Sequence, residues 1–194
     1  MKITYPVACI LGTIAENKAR DMSVPMAIAL MDREGTLLFF GRMDGALPAS
    51  TEIAISKAYT SAIFRMATHE LGKLAQPGGE LYGVQHTHNG RIVLFGGGLP
   101  LRVNGHVMGA IGISGGSVNE DSQVAEHVVK ALEEMEYWSK RIKKYLPEVR
   151  LEHLRISSLE DRLQEASERM NCDLPADVSL VLTGAILLAA SVRE

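Results

Sequence analysis

Apolar residues at Val7, Ile10, Leu11, Ile14 and Met22, with polar ones gathered between Glu16 and Asp21, follow the spacing of one helix face. They predict a first helix over 7–22 with Pro6 in its opening turn. Two continuous apolar runs, 26–31 and 36–40, flank Asp32-Arg33-Glu34-Gly35, whose turn chemistry makes them a β-hairpin. From Ser50 the pattern Ile53, Ile55, Ala58, Ile63, Phe64 and Met66 predicts a helix to about Ala67. Gln76-Pro77-Gly78-Gly79 is a loop, and 81–87 reads as either a short strand or an irregular segment. Strands are expected over 91–95, 99–103 and 106–113, the last two joined by Asn104-Gly105, a strong two-residue hairpin signal. Ser117-Val118-Asn119-Glu120 has the capping-box form and opens a long helix through Val124, Val128, Leu132 and Met135 to about Tyr145.

After Pro147 the pattern changes. Leu159, Leu163, Ala166 and Met170 mark one face of a short helix, and Asp173-Leu174-Pro175-Ala176-Asp177 restarts the chain for a final apolar helix. We place a boundary near Leu146, giving a sheet domain over 1–146 and a helical extension over 147–194. The apolar run 178–192 is shorter than the roughly 20 residues a bilayer-crossing helix needs, and polar residues interrupt it. Being apolar nearly all round, it predicts cover on more than one side, with a neighbouring chain as the favoured second contact.

Composition narrows the function classes. A 46% hydrophobic share in 194 residues supports one substantial core and opposes disorder. The net charge of −3 opposes nucleic-acid binding, which usually needs a basic surface, and the run Lys140–Lys144 fits a solvated helix end. Cys9 and Cys172 form no CxxC pair, so a reducing cytoplasm fits better than a disulfide framework, and no secretory signal or membrane span is expected.

Several residues could carry chemistry. Gly96-Gly97-Gly98 lacks the order of a dinucleotide fingerprint and opens onto a strand, which favours a bend over ligand contact. Ser114-Gly115-Gly116-Ser117 is either an ordinary strand-to-helix turn or an anion site at a positive helix end. His86 and His88, two apart, would share one face of an extended segment, as a metal or haem iron requires, or stand as two polar loop residues. His69, His106 and His127 are isolated, and Ser114 has no nucleophile elbow.

The ordered strings Gly41-Arg42-Met43-Asp44-Gly45-Ala46, Lys57-Ala58-Tyr59-Thr60-Ser61-Ala62, Gly96-Gly97-Gly98-Leu99-Pro100-Leu101 and Val107-Met108-Gly109-Ala110-Ile111-Gly112-Ile113-Ser114-Gly115-Gly116 resemble the GlcG/HbpS haem-binding-like family, which the C-terminal domains of PduO-type proteins share. The resemblance spans about residues 3 to 140. It implies an α+β, profilin-like fold with a five-stranded antiparallel sheet flanked by helices, assembly into homo-oligomers and, in some members, binding of haem or a related tetrapyrrole. It brings no agreed reaction. Arg42, Asp44 and Lys57 are the charged members of the shared strings. Arg42 or Lys57 would complement an anionic ligand, while Asp44 would form an Asx turn with Gly45 or pair with a cation.

The leading expectation is therefore a cytoplasmic, homo-oligomeric accessory protein for a small anionic cofactor, haem or a corrinoid. Its candidate contacts are Arg42, Asp44, Lys57, His86, His88, Gly97, Gly98, Gly115 and Gly116, with His86 and His88 as candidate metal ligands. Two competing readings remain. One is an enzyme for a small carbonyl or hydroxy-acid metabolite using His86 or His88 as base or metal ligand. The other is a structural subunit docking through its last helix.

Overall fold

The computed structural model describes residues 3–145 and 178–190. The first helix, α1 (Tyr5–Asp21), begins with proline in its first turn, as expected. Next come β1 (Ala27–Asp32) and β2 (Leu37–Arg42), an antiparallel hairpin whose turn is organised by Asp32. The Asp32 Oδ1 accepts the backbone N–H groups of Glu34 at 3.0 Å and Thr36 at 2.8 Å, and Gly35 supplies positive φ.

The helix predicted from Ser50 is α2 (Ser50–Phe64), closed by Arg65 in the left-handed conformation. A second short helix, α3 (Thr68–Leu74), follows where no separate helix was expected. The sheet is completed by β3 (Gly98–Val103) and β4 (His106–Ser114). Asn104 and Gly105 have φ of 51° and 76°, the two left-handed positions that a type I′ turn demands. The long helix is α4 (Val118–Tyr145), and α5 (Val178–Ala190) follows the undescribed segment.

The sheet has four antiparallel strands in the order β2-β1-β4-β3, which corrects the expected five. The missing strand is the segment 91–95. Its apolar, β-branched residues suggested a ladder, but the chain here lies over α2 and α3, where side chains satisfy its backbone. The Val93 N–H donates to Thr60 Oγ1 at 3.0 Å, and the Phe95 carbonyl accepts from Thr68 Oγ1 at 2.6 Å. A Cβ on Gly72 of α3 would stand 2.0 Å from the Leu94 carbonyl oxygen, so only glycine permits that approach. Residues 81–90 are turns and short 3₁₀ segments, settling their open assignment as irregular.

Helices cover both faces of the sheet. On one, Ala27, Ala29, Met31 and Ala110 pack against Ala54, Ala58 and Ala62 of α2. On the other, Ile28, Leu30, Leu101, Ile111 and Ile113 share a larger core with Val7, Leu11 and Ile14 of α1 and Val124, Val128, Leu132 and Met135 of α4. Helix α5 belongs to this second core through Val181, Ala185, Ile186 and Leu188, with Leu180 and Leu187 packed at its margin. The apolar surface on this side is supplied by α1 and α4 of the same chain. A Cβ on Gly184 would meet Met135 Sδ at 2.5 Å, so helix and side chain are in close contact. The expected boundary near Leu146 and the amphipathic helix around Leu159–Met170 lie outside the described residues. No helix among the described residues is long and apolar enough to cross a membrane.

Candidate functional site

Most of the predicted site residues meet at one end of the sheet. Arg42 ends β2 opposite Ala27, which pairs on its other side with Ser114 at the end of β4. Gly98 begins β3 opposite Gly112, and the Ile113 N–H donates to the Gly97 carbonyl at 2.9 Å. Lys57 reaches this corner from the middle of α2. Its ammonium donates to Asp121 Oδ2 at 2.6 Å and to the Ile113 carbonyl at 2.8 Å. It also lies 5.0 Å from the centre of the Phe95 ring. Neither charge is accessible: the two side chains are 0% and 4% exposed.

Burial pushes the Lys57 ammonium down and the Asp121 carboxyl up from their ordinary values, and each partner opposes the other's shift. The Gly116 N–H donates to Asp121 Oδ1 at 3.1 Å, so the Gly115-Gly116 turn serves an internal carboxylate. The glycines here are required by contact. A Cβ on Gly97, whose φ is 103°, would lie 2.7 Å from Lys57 Nζ; on Gly98, 2.7 Å from the Lys57 carbonyl oxygen; on Gly115, 2.4 Å from the Pro25 carbonyl oxygen. The corner joins α2, β4 and the start of α4 around one desolvated ion pair. Its glycines and Lys57 are turned into the protein, which matches the bend reading of Gly96-Gly97-Gly98.

Arg42 and Asp44 stand at the rim of this corner. The Arg42 guanidinium donates to the Ala46 carbonyl at 3.0 Å and closes the Met43–Ala46 turn, where Gly45 has φ of 87°. Asp44 makes no hydrogen bond or ion pair among the described residues, so no Asx turn forms with Gly45.

The histidines lie elsewhere, and the extended geometry expected for them is corrected. They fall in consecutive 3₁₀ segments, and His88 and Asn89 both have positive φ, 50° and 58°. The rings consequently have different neighbours. His86 Nε2 is 3.4 Å from Gln85 Nε2, whereas His88 Nδ1 is 3.1 Å from the Tyr59 hydroxyl and its ring stands edge-on to Tyr59 and Phe64. The Arg91 guanidinium stacks 4.2 Å above the Tyr59 ring. Gln85 Oε1 is buried without a hydrogen-bond partner among the described residues. An exposed imidazole, a phenol and a stacked cation thus occupy one surface of α2 and the loop beside it.

Among the described residues, no group of three His, Cys, Asp or Glu side chains could hold a metal ion by itself. No hydrogen bond there joins a histidine to a serine, cysteine or carboxylate. The sequence reading missed Asp121, Tyr59 and Arg91. Tyr59 was legible as the neighbour of Lys57 in a shared string; Asp121 was hidden one residue beyond the capping box.

Residues 3–130 match the family model described as HbpS-like, haem degrading protein HbpS-like. The chain belongs to the HbpS-like family. It is 42% identical over 133 residues to an uncharacterized 15.0 kDa protein of the dhaT-dhaS intergenic region of Citrobacter freundii, covering 69% of this chain and 94% of that one. It is also 39% identical over 132 residues to the corrinoid adenosyltransferase PduO of Citrobacter freundii, but spans only 39% of that protein's length. Among solved structures, the PduOC:haem complex superposes with a TM-score of 0.65 at 36% identity, covering 67% of this chain and 94% of that one. Klebsiella pneumoniae ORFY gives 0.66 at 36% identity, covering 69% and 92%. The relationship to GlcG of Escherichia coli is more distant, 27% over 112 residues.

Proposed function

We propose that this protein is a homo-oligomeric accessory protein that binds haem or a related tetrapyrrole or corrinoid, with His88 as the ligand to the metal. The observation that carries the reading is the geometry of His88 in a chain 36% identical to a domain solved with haem. A ligating imidazole needs one nitrogen free and the other held. With the proton on Nδ1, His88 donates to the Tyr59 hydroxyl, and Nε2 is left with its lone pair at an exposed position.

The other residues fit the rest of such a cofactor. Arg91 supplies a cation for a carboxylate side group, held in place by its stack on Tyr59. Phe64 and Tyr59 offer aromatic edges to a flat macrocycle. When bound, haem would supply redox and oxygen chemistry; the protein's part is to orient the metal ligand, neutralise the carboxylate and shelter one face. The corrinoid alternative draws on the resemblance to PduO, of which this chain matches only a part.

Titrating the full chain with haemin and following the Soret band tests the reading. Saturable binding with a shifted band is expected for the wild type, with the shift lost in His88→Ala and kept in His86→Ala. Absence of saturable binding by the wild type sinks the haem reading; an unchanged band in His88→Ala assigns the metal to another residue.

A further inference from the structure

The turn end of the sheet, opposite the Lys57 corner, holds a second concavity whose lining includes neither Lys57 nor His88. A cavity of about 440 Å³ opens between the β1–β2 turn, the end of α2 and the β3–β4 hairpin. That is within the range of small-molecule pockets. Its walls carry Arg33, Arg65, Arg102 and His106, and no carboxylate lines it. Three acidic residues come near and each is already engaged: Asp32 accepts the Glu34 and Thr36 N–H groups, Glu34 pairs with Arg33 Nε, and Glu136 accepts the Asn104 N–H while pairing with Lys140. Arg102 is aimed by carbonyls, donating to Arg65 O at 3.0 Å and Gly105 O at 3.4 Å, which orients the guanidinium without cancelling its charge. Arg65 forms no ion pair among the described residues.

The backbone supplies a second, independent indication. Arg65 closes α2 with φ of 57°, a position where glycine, or sometimes asparagine, is usual and where a larger residue is strained. That conformation presents the Arg65 carbonyl to Arg102, and the residue itself places a guanidinium on the cavity wall. We infer that this cavity binds a phosphate-bearing small molecule, with Arg65 and Arg102 gripping the phosphoryl oxygens and Arg33 and His106 at the sides. Guanidinium forks match phosphate oxygens two at a time, which suits a cluster of arginines better than it suits a single carboxylate. The inference is independent of the haem reading, since none of these residues belongs to the His88 surface.

Inorganic pyrophosphate is the probe, titrated calorimetrically into the full chain at low ionic strength. Saturable binding is expected for the wild type, weakened at least tenfold in Arg102→Gln and in Arg65→Gly. The glycine variant retains the backbone conformation and should melt no lower than the wild type, so its loss of binding cannot be blamed on unfolding. Arg20→Gln, which removes a surface cation of α1, should bind as the wild type does. No saturable binding by the wild type, or equal affinities for Arg65→Gly, Arg102→Gln and Arg20→Gln, would overturn the inference. Haemin titration of Arg102→Gln should reproduce the wild-type Soret shift, so failure of one site is distinguishable from failure of the other.

Discussion

The two faces of the sheet solve the same packing problem in opposite ways. Toward α1, α4 and α5 the strands present isoleucine, leucine and valine, and side chains fill the space between backbones. Toward α2 they present mainly alanine and glycine, with Met31 at one end, so over much of this face backbone meets backbone: a Cβ on Gly112 would stand 2.1 Å from the Ala54 carbonyl oxygen and 2.4 Å from the Ala58 nitrogen. The first face can absorb a change of volume by rearranging rotamers. The second cannot, and it brings polar groups inside that must be satisfied there, among them Lys57, Thr60, Ser61 and Thr68, all buried. A thin interface therefore depends on specific hydrogen bonds, whereas a thick one depends on area.

The sharpest way to break this contrast is to add volume on the thin face. Gly112→Val should abolish cooperative folding, and Gly112→Ala should cost about 3 kcal/mol or more, because neither backbone can retreat without moving a whole element. A urea midpoint equal to that of the wild type would show that α2 does not sit so close. Next in size is Asp121→Ala, which strands the Lys57 ammonium in the interior and should destabilise by about 3–5 kcal/mol. The double change Lys57→Met with Asp121→Leu should recover most of that loss, since it removes both desolvated charges together. On the thick face Leu188→Ala, which deletes buried volume from α5, should cost about 2–4 kcal/mol in thermal or urea melts. No measurable change there would mean that α5 is not part of the core.

The same contrast explains what could be read from the sequence. Large apolar residues at regular spacing announced α1, the β1–β2 hairpin, α4 and α5, because these face the thick core. The Asn104-Gly105 turn was equally plain, since its left-handed pair has few other uses. Helix α3 was missed because seven residues around Gly72 carry little periodic signal. The strand expected over 91–95 failed because Ile92 and Val93 have strand-like side chains, while the fate of their backbone was decided by Thr60 and Thr68, far away in sequence. The four shared strings contain residues that the fold brings together, but what they meet around was not legible. Gly97, Gly98, Gly115, Gly116 and Lys57 do converge, around Asp121, in a buried corner. Nothing local in the sequence says whether a lysine faces a ligand or a carboxylate 64 residues onward.

The smallest expected effect concerns the joint between the two faces, where β4 turns into α4. Ser117 and Glu120 form the predicted capping box: the Ser117 N–H donates to Glu120 Oε2 at 2.7 Å, the Ser117 hydroxyl donates to the same oxygen at 2.8 Å, and the Glu120 N–H reaches back to Ser117 Oγ at 3.3 Å. Ser117→Ala removes the hydroxyl and should lower stability by about 1 kcal/mol. The hydrogen bonds from Ser117 hold the Glu120 carboxyl below its ordinary range. A carboxylate whose folded value is depressed adds stability that is fully present above the unfolded value and disappears as pH falls through the folded one. The difference between wild type and Glu120→Gln should therefore be largest near neutral pH and shrink on acidification through and below the glutamate range. The comparison is sharpened by running Asp121→Asn beside it. Asp121 is only one residue along, but its carboxylate is buried against Lys57, so its loss should greatly exceed that of Glu120 at neutral pH. Equal effects of the two substitutions would mean that the start of α4 is held by its cap alone and that the buried ion pair contributes nothing of its own.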